Sequence, residues 1–200
     1  GKIYDPSTDF NFTRDFFSAY VNYGQKFGKF GMQLGLRAEQ FKDKGDYLIN
    51  VTEKGNIDQD KLDFFPSAFL TYDVTDKGQV SLNYSRRIDR PGIGQLSPVP
   101  EWSTPMMSSI GNPGLRPEYT DNFEVGYLQR IGKNSISGNV FYRHIKDNIF
   151  RNVIRNEEVA GAYIQNYANY DKVNAYGFEL SFNLVPTKWW SSNISGDYTH

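Results

Sequence analysis

The sequence predicts an all-β fold, an antiparallel up-and-down meander of about eight strands. Three observations carry that expectation. Apolar and polar residues alternate with period two in segment after segment, which suits a strand and defeats a helix. Tight turns and long polar connections alternate between those segments. Tyrosine (14), phenylalanine (15) and glycine (18) are abundant, as strand pairing and close backbone approach favour.

From Asp15 to Tyr23 one face carries Phe17, Ala19, Val21 and Tyr23, and the other Phe16, Ser18, Tyr20 and Asn22. A turn spans Gly24 to Lys29. Phe30, Met32, Leu34, Leu36 and Ala38 then oppose Gly31, Gln33, Gly35, Arg37 and Glu39 in strict alternation. Lys42 to Lys61 reads as a long polar connection, with a small hairpin at Tyr47 to Val51. The third strand sets Ala68, Leu70, Tyr72 and Val74 against Ser67, Phe69, Thr71 and Asp73. Pro66 falls at its entrance, where a missing ladder donor is tolerated. Thr75-Asp76-Lys77-Gly78 turns tightly into Val80, Leu82 and Tyr84.

Asp89 to Pro117 has no alternation and holds most of the prolines, with Trp102, Met106 and Met107. It closes on IGNPGLRPE, Ile110 to Glu118. There Pro113 presets φ, and Gly114 is expected to supply the positive φ of a type II turn. Pro117 forces Arg116 into extended geometry, so Glu118 and Tyr119 enter a strand. That strand opposes Phe123, Val125 and Tyr127 to Asn122, Glu124 and Gly126. After Gly132-Lys133-Asn134, the set Ile136, Gly138, Val140 and Tyr142 opposes Ser137, Asn139, Phe141 and Arg143, continuing towards Ile154. A polar loop over Asn156 to Tyr170 precedes the clearest strand. Its apolar side is Tyr176, Phe178, Leu180, Phe182 and Leu184, against Ala175, Gly177, Glu179, Ser181 and Asn183. Pro186-Thr187-Lys188 turns, Trp189 and Trp190 follow, and Ile194 and Tyr198 mark the last strand.

Charge nearly cancels, 22 basic residues against 23 acidic, so no bulk field recruits nucleic acid. Mean hydropathy is −0.60, and no run approaches the roughly 20 apolar residues of a membrane helix. Membrane barrels remain open, because alternating strands average to a polar score. Cysteine is absent, which removes disulfides and thiolate metal ligands.

The long connections all fall at one end of the meander and the tight turns at the other. Outer-membrane barrels have that asymmetry, and a soluble sandwich has no need of it. Arg37, Glu39, Arg87, Glu124, Arg143 and Glu179 all lie opposite the apolar set, so a one-residue slip would bring charge to the greasy side. They are the candidate lumen-facing residues of a large transmembrane barrel whose other face meets outer-membrane lipid. Trp189 and Trp190 beside a tight turn suit a membrane interface. Alternation alone fits equally a soluble β-sandwich or small barrel binding a ligand such as a glycan, with the apolar face inside.

No catalytic constellation is present: no GxSxG elbow, no HExxH pair, and only two histidines, His144 and His200, far apart in sequence. Neither a metal nor a cofactor is expected, and the reading is not of an enzyme. His144 reads as a solvated or lumen-edge side chain, and Glu157-Glu158 as loop solvation. Gly92-Ile93-Gly94 lacks the following helix of a phosphate cradle. Arg86 and Arg87 point to opposite faces, placing Arg86 near headgroups and Arg87 towards loop carboxylates or cargo. Trp102, Met106 and Met107 form the candidate cargo loop.

Five strings in order, FFPSAFLTYDV, LNYSRRIDRP, GNPGLRPEYTDNFEVGY, GNVFYRHIKDNI and YGFELSFNLVPTKWWSSNISGDYTH, resemble TonB-dependent outer-membrane receptors, most nearly those of the Bacteroidetes-type branch. GNPGLRPE and YGFELSF are the most specific. The resemblance implies a 22-stranded parent barrel, an N-terminal plug, a TonB-type energy transducer as partner, and import of siderophore-bound iron, cobalamin, glycans or peptides. It also makes Asn112, Pro113, Gly114, Leu115, Pro117 and Glu118 an architectural strand-entry motif. The chain starts at Gly1 without an initiating Met and stops inside a strand pattern. The expectation is therefore that residues 1–200 are a piece of one barrel domain without its plug. Such a piece, with two open edges and one greasy face, is expected to bury that face by curling on itself or by self-association.

Overall fold

The computed structural model describes residues 9–49, 53–157 and 159–200. Its elements are β1 (Asp9–Phe27), β2 (Phe30–Ile49), β3 (Glu53–Thr75), β4 (Gly78–Asp89), α1 (Ile93–Leu96), β5 (Glu101–Thr104), β6 (Met107–Ser109), β7 (Glu118–Ile131), β8 (Asn134–Arg155), β9 (Tyr163–Thr187) and β10 (Trp190–Thr199). The long strands pair antiparallel in the order β1-β2-β3-β4-β7-β8-β9-β10, which is the meander that the alternation marks out. β5 and β6 form a small hairpin inside the β4–β7 connection. β6 lies parallel to β9, with Met107 opposite Tyr163, so the antiparallel rule fails at that pairing. Its partner reaches it by a long route rather than a hairpin, as parallel pairing requires.

Continuous register fuses the apolar sets into rows. Met32, Leu70, Leu82, Val125, Val140, Phe178 and Tyr198 are successive partners across seven strands. These residues face outward from a curled single-layer sheet and stay accessible, Val125 at 53% and Val140 at 60%. On the concave face Glu39, Phe65, Asn122 and Phe141 are buried. No second layer covers the apolar side among the described residues, so a sandwich that buries it is not what this chain builds. Nor does the sheet curl far enough to cover that side itself.

Tight two-residue turns join the strands at one end: Gly28-Lys29, Asp76-Lys77, Gly132-Lys133 and Lys188-Trp189. Gly28 (φ 57°) and Gly132 (φ 61°) take the positive φ that a type II′ hairpin requires at its first position. The turns are shorter than the sequence suggests. Gly24 to Phe27 belong to β1, and Pro186 and Thr187 to β9.

The turns are also staggered. Phe27, Phe30, Tyr72, Val80, Tyr127, Gly138 and Leu180 form one row of partners. The first turn abuts that row, while the last lies about seven residues farther along its strands. One residue or so of offset per strand corresponds to a tilt of about 40°, within the range of closed outer-membrane barrels.

At the opposite end two expected loops are ladder. β2 and β3 remain paired from Phe41–Lys61 to Ile49–Glu53, and Tyr47 to Ile49 are the tip of β2. Val51 lies outside the described residues, as does Glu158. β8 and β9 stay paired up to Arg155–Tyr163, so most of Asn156 to Tyr170 is strand. β1 likewise begins at Asp9 rather than Asp15. β2 has 20 residues and β9 has 25. A barrel strand needs only about 9–11 residues to cross the hydrocarbon. The surplus stands in water, where neither face need be apolar. That is why it reads as loop. Pro66 sits inside β3, opposite Leu36, as the last residue before the β4 ladder opens at Ser67–Ser85. From Glu53 to Pro66 the β4 side of β3 is an edge, so the missing donor costs little there.

Candidate functional site

The Asp89 to Pro117 connection folds as a strap against the concave face near the long-strand end. Its centre is apolar: Leu96 and Leu115 are fully buried with Ile57, and Phe10, Phe12, Ile149 and Tyr167 pack around them. The strap is zipped to itself by Gly111 N–H to the Ser97 carbonyl (2.8 Å) and Asn112 N–H to the Gln95 carbonyl (2.7 Å). Gly111 must be glycine. A Cβ there would meet the carbonyl of Gln95 at 2.7 Å and the amide of Ser97 at 2.8 Å, both backbone.

Four arginines form ion pairs in the strap and the strands beneath it. Arg14 grips Asp43 with two hydrogen bonds, 2.7 Å from Nε and 2.6 Å from Nη2, and Nη2 also donates to the Pro91 carbonyl at 3.2 Å. The Asp43 hydrogen bond raises the Arg14 pKa above its ordinary value. Arg90 donates to Glu39 at 2.8 Å and lies over the ring of Phe41, 4.5 Å from its centroid. Arg37 takes the other oxygen of Glu39 at 2.9 Å. Arg116 holds Asp147 through Nε (2.9 Å) and Nη2 (2.6 Å). Asp147 itself adopts φ 55°, unusual for a side-chain-bearing residue inside a strand.

The strand-entry motif works as a clamp. Leu115 and Pro117 are buried, and Glu118 accepts from Asn148 Nδ2 (2.8 Å) and from the Ile149 N–H (2.9 Å). Asn112 donates to the Tyr167 carbonyl at 3.1 Å. Glu118 opens β7, as the two prolines imply. The type II turn does not form, because Gly114 is not at positive φ. Instead the Asn112 side chain accepts the Gly114 N–H at 2.9 Å, and the Asn112 carbonyl accepts from Leu115 at 3.2 Å. The asparagine side chain supplies the closure that glycine was expected to supply.

Arg37, Glu39, Arg87, Glu124, Arg143 and Glu179 share the concave-side parity. They are not one cluster. Arg37 and Glu39 pair beneath the strap. Asn122 joins Glu124 and Arg143, donating to the first at 2.6 Å and accepting from the second at 3.3 Å. Arg87 makes no ion pair among the described residues. It lines a recess of about 400 Å³ with Tyr20, Asn22, Arg37, Ser67 and Ser85. A second polar recess of about 270 Å³ is lined by Ser81, Glu124, Asn139 and Glu179. Both are open hydrogen-bonding surfaces suited to hydrated solutes. The larger grooves, about 500 and 470 Å³, lie among Leu70, Leu82, Val125, Val140 and Phe178 on the outward face, where acyl chains fit better than polar cargo.

Trp102 and Met106 are half-exposed in and beside the β5–β6 hairpin, which is stitched to β9 rather than lying over the recesses. Trp189 and Trp190 are exposed beside the fourth turn. Arg86 faces outward, over the ring of Tyr119. His144 is on the outward face too, with Nδ1 2.8 Å from Asn174 Oδ1, and not at the lumen edge. Arg14, Asp43, Arg90, Gly111 and Asp147 escaped the sequence reading. Their partners lie far away in sequence; Arg90, Gly111 and Asp147 fall inside the RRIDRP, GNPGLRPE and GNVFYRHIKDNI strings, while Arg14 and Asp43 fall inside none of them.

Residues 2–200 match the profile of the outer membrane protein β-barrel family. Among solved structures, the chain is similar to the Serratia marcescens hemophore receptor HasR in complex with HasA and heme (TM-score 0.73, 15% identity, 94% of this chain and 34% of that one). It is similar also to the ferric yersiniabactin uptake receptor FyuA of Yersinia pestis (0.68, 17%, 96% and 27%). A third likeness is to the Neisseria meningitidis iron transporter FrpB (0.63, 16%, 96% and 27%). The chain thus spans between a quarter and about a third of these proteins, and at such identity the likeness is one of fold.

Proposed function

This chain belongs to the outer membrane protein β-barrel family, and from that premise we propose that it is wall of a TonB-dependent receptor that imports a scarce nutrient across the bacterial outer membrane. The observation that carries the reading is the row from Met32 to Tyr198, an apolar face that none of the described residues covers, backed by a polar concave wall. Lipid is the solvent that such a face requires. The tight turns are periplasmic and the long-strand end extracellular, so the strap and the two recesses face arriving cargo. Siderophore-bound iron, cobalamin, a glycan or a peptide are the cargo classes. An energy transducer engages a part of the receptor beyond this wall.

The test is uptake. A strain lacking the full gene is expected to lose high-affinity uptake of one labelled nutrient of these classes, and so is a strain lacking the transducer. Uptake that survives without the transducer overturns the energy-coupled reading. Recovery of the protein in the soluble fraction overturns the membrane one.

A further inference from the structure

We infer that the outward face of β4, β7, β8 and β9, just beyond the apolar band, docks the phosphorylated headgroup of an outer-leaflet lipid. The inference rests on the membrane-wall reading above. Three levels follow one another along these strands. Tyr84, Phe123, Tyr142 and Tyr176 are register partners in a row that climbs with the stagger of the turns. At Tyr142 and Tyr176 it supplies aromatics of the kind that mark a hydrocarbon boundary, four residues short of Lys146 and Lys172 on the same strands. The next outward-facing level is Arg86, Asp121, His144 and Asn174, to which the tyrosine hydroxyls reach up: Tyr84 to Asp121 at 2.8 Å and Tyr142 to Asn174 at 3.0 Å. The level beyond is Tyr119, Lys146 and Lys172. Arg86 lies 5.4 Å over the Tyr119 ring, whose hydroxyl donates to Asp63 at 2.9 Å, and Lys146 is Tyr119's partner on the next strand.

Lys146 and Lys172 are direct cross-strand partners. Like charges so placed repel. Neither forms an ion pair among the described residues, since Asp121 is taken by Tyr84 and Arg86, and Glu118 by Asn148 and Ile149. The same sheet holds a control for this position. Lys42 stands thirteen residues beyond the turn residue Lys29, and Lys146 thirteen beyond Lys133. Asp60 stands sixteen before Asp76, and Lys172 sixteen before Lys188. At equal distances from their turns, one pair is Lys42–Asp60, closed at 3.0 Å, and the other is lysine against lysine.

The Lys146–Lys172 pair therefore lacks the carboxylate that its counterpart on β2 and β3 holds. Its place, outside the hydrocarbon and above an aromatic row, is the depth at which lipid phosphates lie. Long lysine stems let the ammonium groups follow such a phosphate along the strand.

The experiment uses the full natural protein, purified from outer membranes in detergent and incubated with lipid A or with its enzymatically dephosphorylated form. Retained lipid is counted by native mass spectrometry. Wild type is expected to keep the phosphorylated lipid at least tenfold better than the dephosphorylated one. Lys146→Gln with Lys172→Gln loses that preference, Lys146→Arg with Lys172→Arg keeps it, and Lys42→Gln is without effect. Heat-modifiable migration confirms that each barrel is folded. Equal retention of the two lipids by wild type, or an undiminished preference in the glutamine variant, overturns the headgroup site and leaves the membrane reading intact. Displacement of lipid by millimolar inorganic phosphate assigns the cations to a soluble anion and overturns it too. Absence of the protein from the outer membrane overturns both.

Discussion

Arg90 gives its hydrogen bond to Glu39 across fifty-one residues of sequence, joining the root of the strap to the middle of β2 at 2.8 Å. Glu39 is only 3% exposed, and Arg37 is its second ion-pair partner. Arg90→Ala removes one of two counter-charges and the cover of Phe41. We expect the strap to lose about 2–3 kcal/mol of local stability. Hydrogen exchange over residues 92–116 in the folded barrel measures it, and Arg90→Lys should fall between the two, lacking the planar stack.

Gly111→Ala tests the zip within the strap. The added methyl has only backbone atoms to push against, so relief requires the Gln95–Ser97 segment to move. The expected cost is about 1–3 kcal/mol, seen as faster proteolysis between residues 92 and 110 with the strands unchanged.

Adjacent residues on β4 separate the two faces. Leu82→Arg puts a cation into hydrocarbon and should destabilise the barrel in vesicles by about 2–4 kcal/mol. Ser81→Arg, one residue earlier on the concave side, should cost less than about 1 kcal/mol. Urea titration of the full protein in bilayers reads both, and equal costs would refute the assignment of faces.

Asp60 lies in the ladder beyond the apolar band, where hydrogen bonds from Lys42 and then Gln40 lower its pKa from the ordinary 3.8. A depressed carboxylate contributes its stabilisation above the unfolded pKa and loses it as the pH falls through the folded one. Carboxyl resonances should therefore place the Asp60 titration below 3.8, and Lys42→Met should return it towards that value.

The spanning part of this fold was legible because it obeys one rule. Lipid outside and water inside impose period two, and the alternation at Phe30 to Ala38 or Tyr176 to Leu184 is enough to set face and register. Where both faces meet water, as along Lys42–Asp60 or Asn152–Asn166, the ladder persists but the rule does not, and strand reads as loop. The clamp was legible as a motif and wrong in its turn type, since propensity favours Gly114 at positive φ and an asparagine side chain supersedes it. Arg14–Asp43 and Arg116–Asp147 were out of reach. Each joins residues about thirty apart, and no local pattern marks which arginine meets which carboxylate.

The stagger of the turns separates hydrogen-bonding register from depth. Phe30 and Leu180 belong to one row of partners, yet Phe30 sits beside its turn while Leu180 stands about 20 Å higher in the bilayer at a 40° tilt. A row therefore climbs around the wall like the thread of a screw, carrying side chains from the inner rim towards the hydrocarbon centre and past it. Substitution tolerance along Phe30, Tyr72, Tyr127 and Leu180 should follow that ascent, forgiving at the rim and strict midway, although the backbone pairs them as equals.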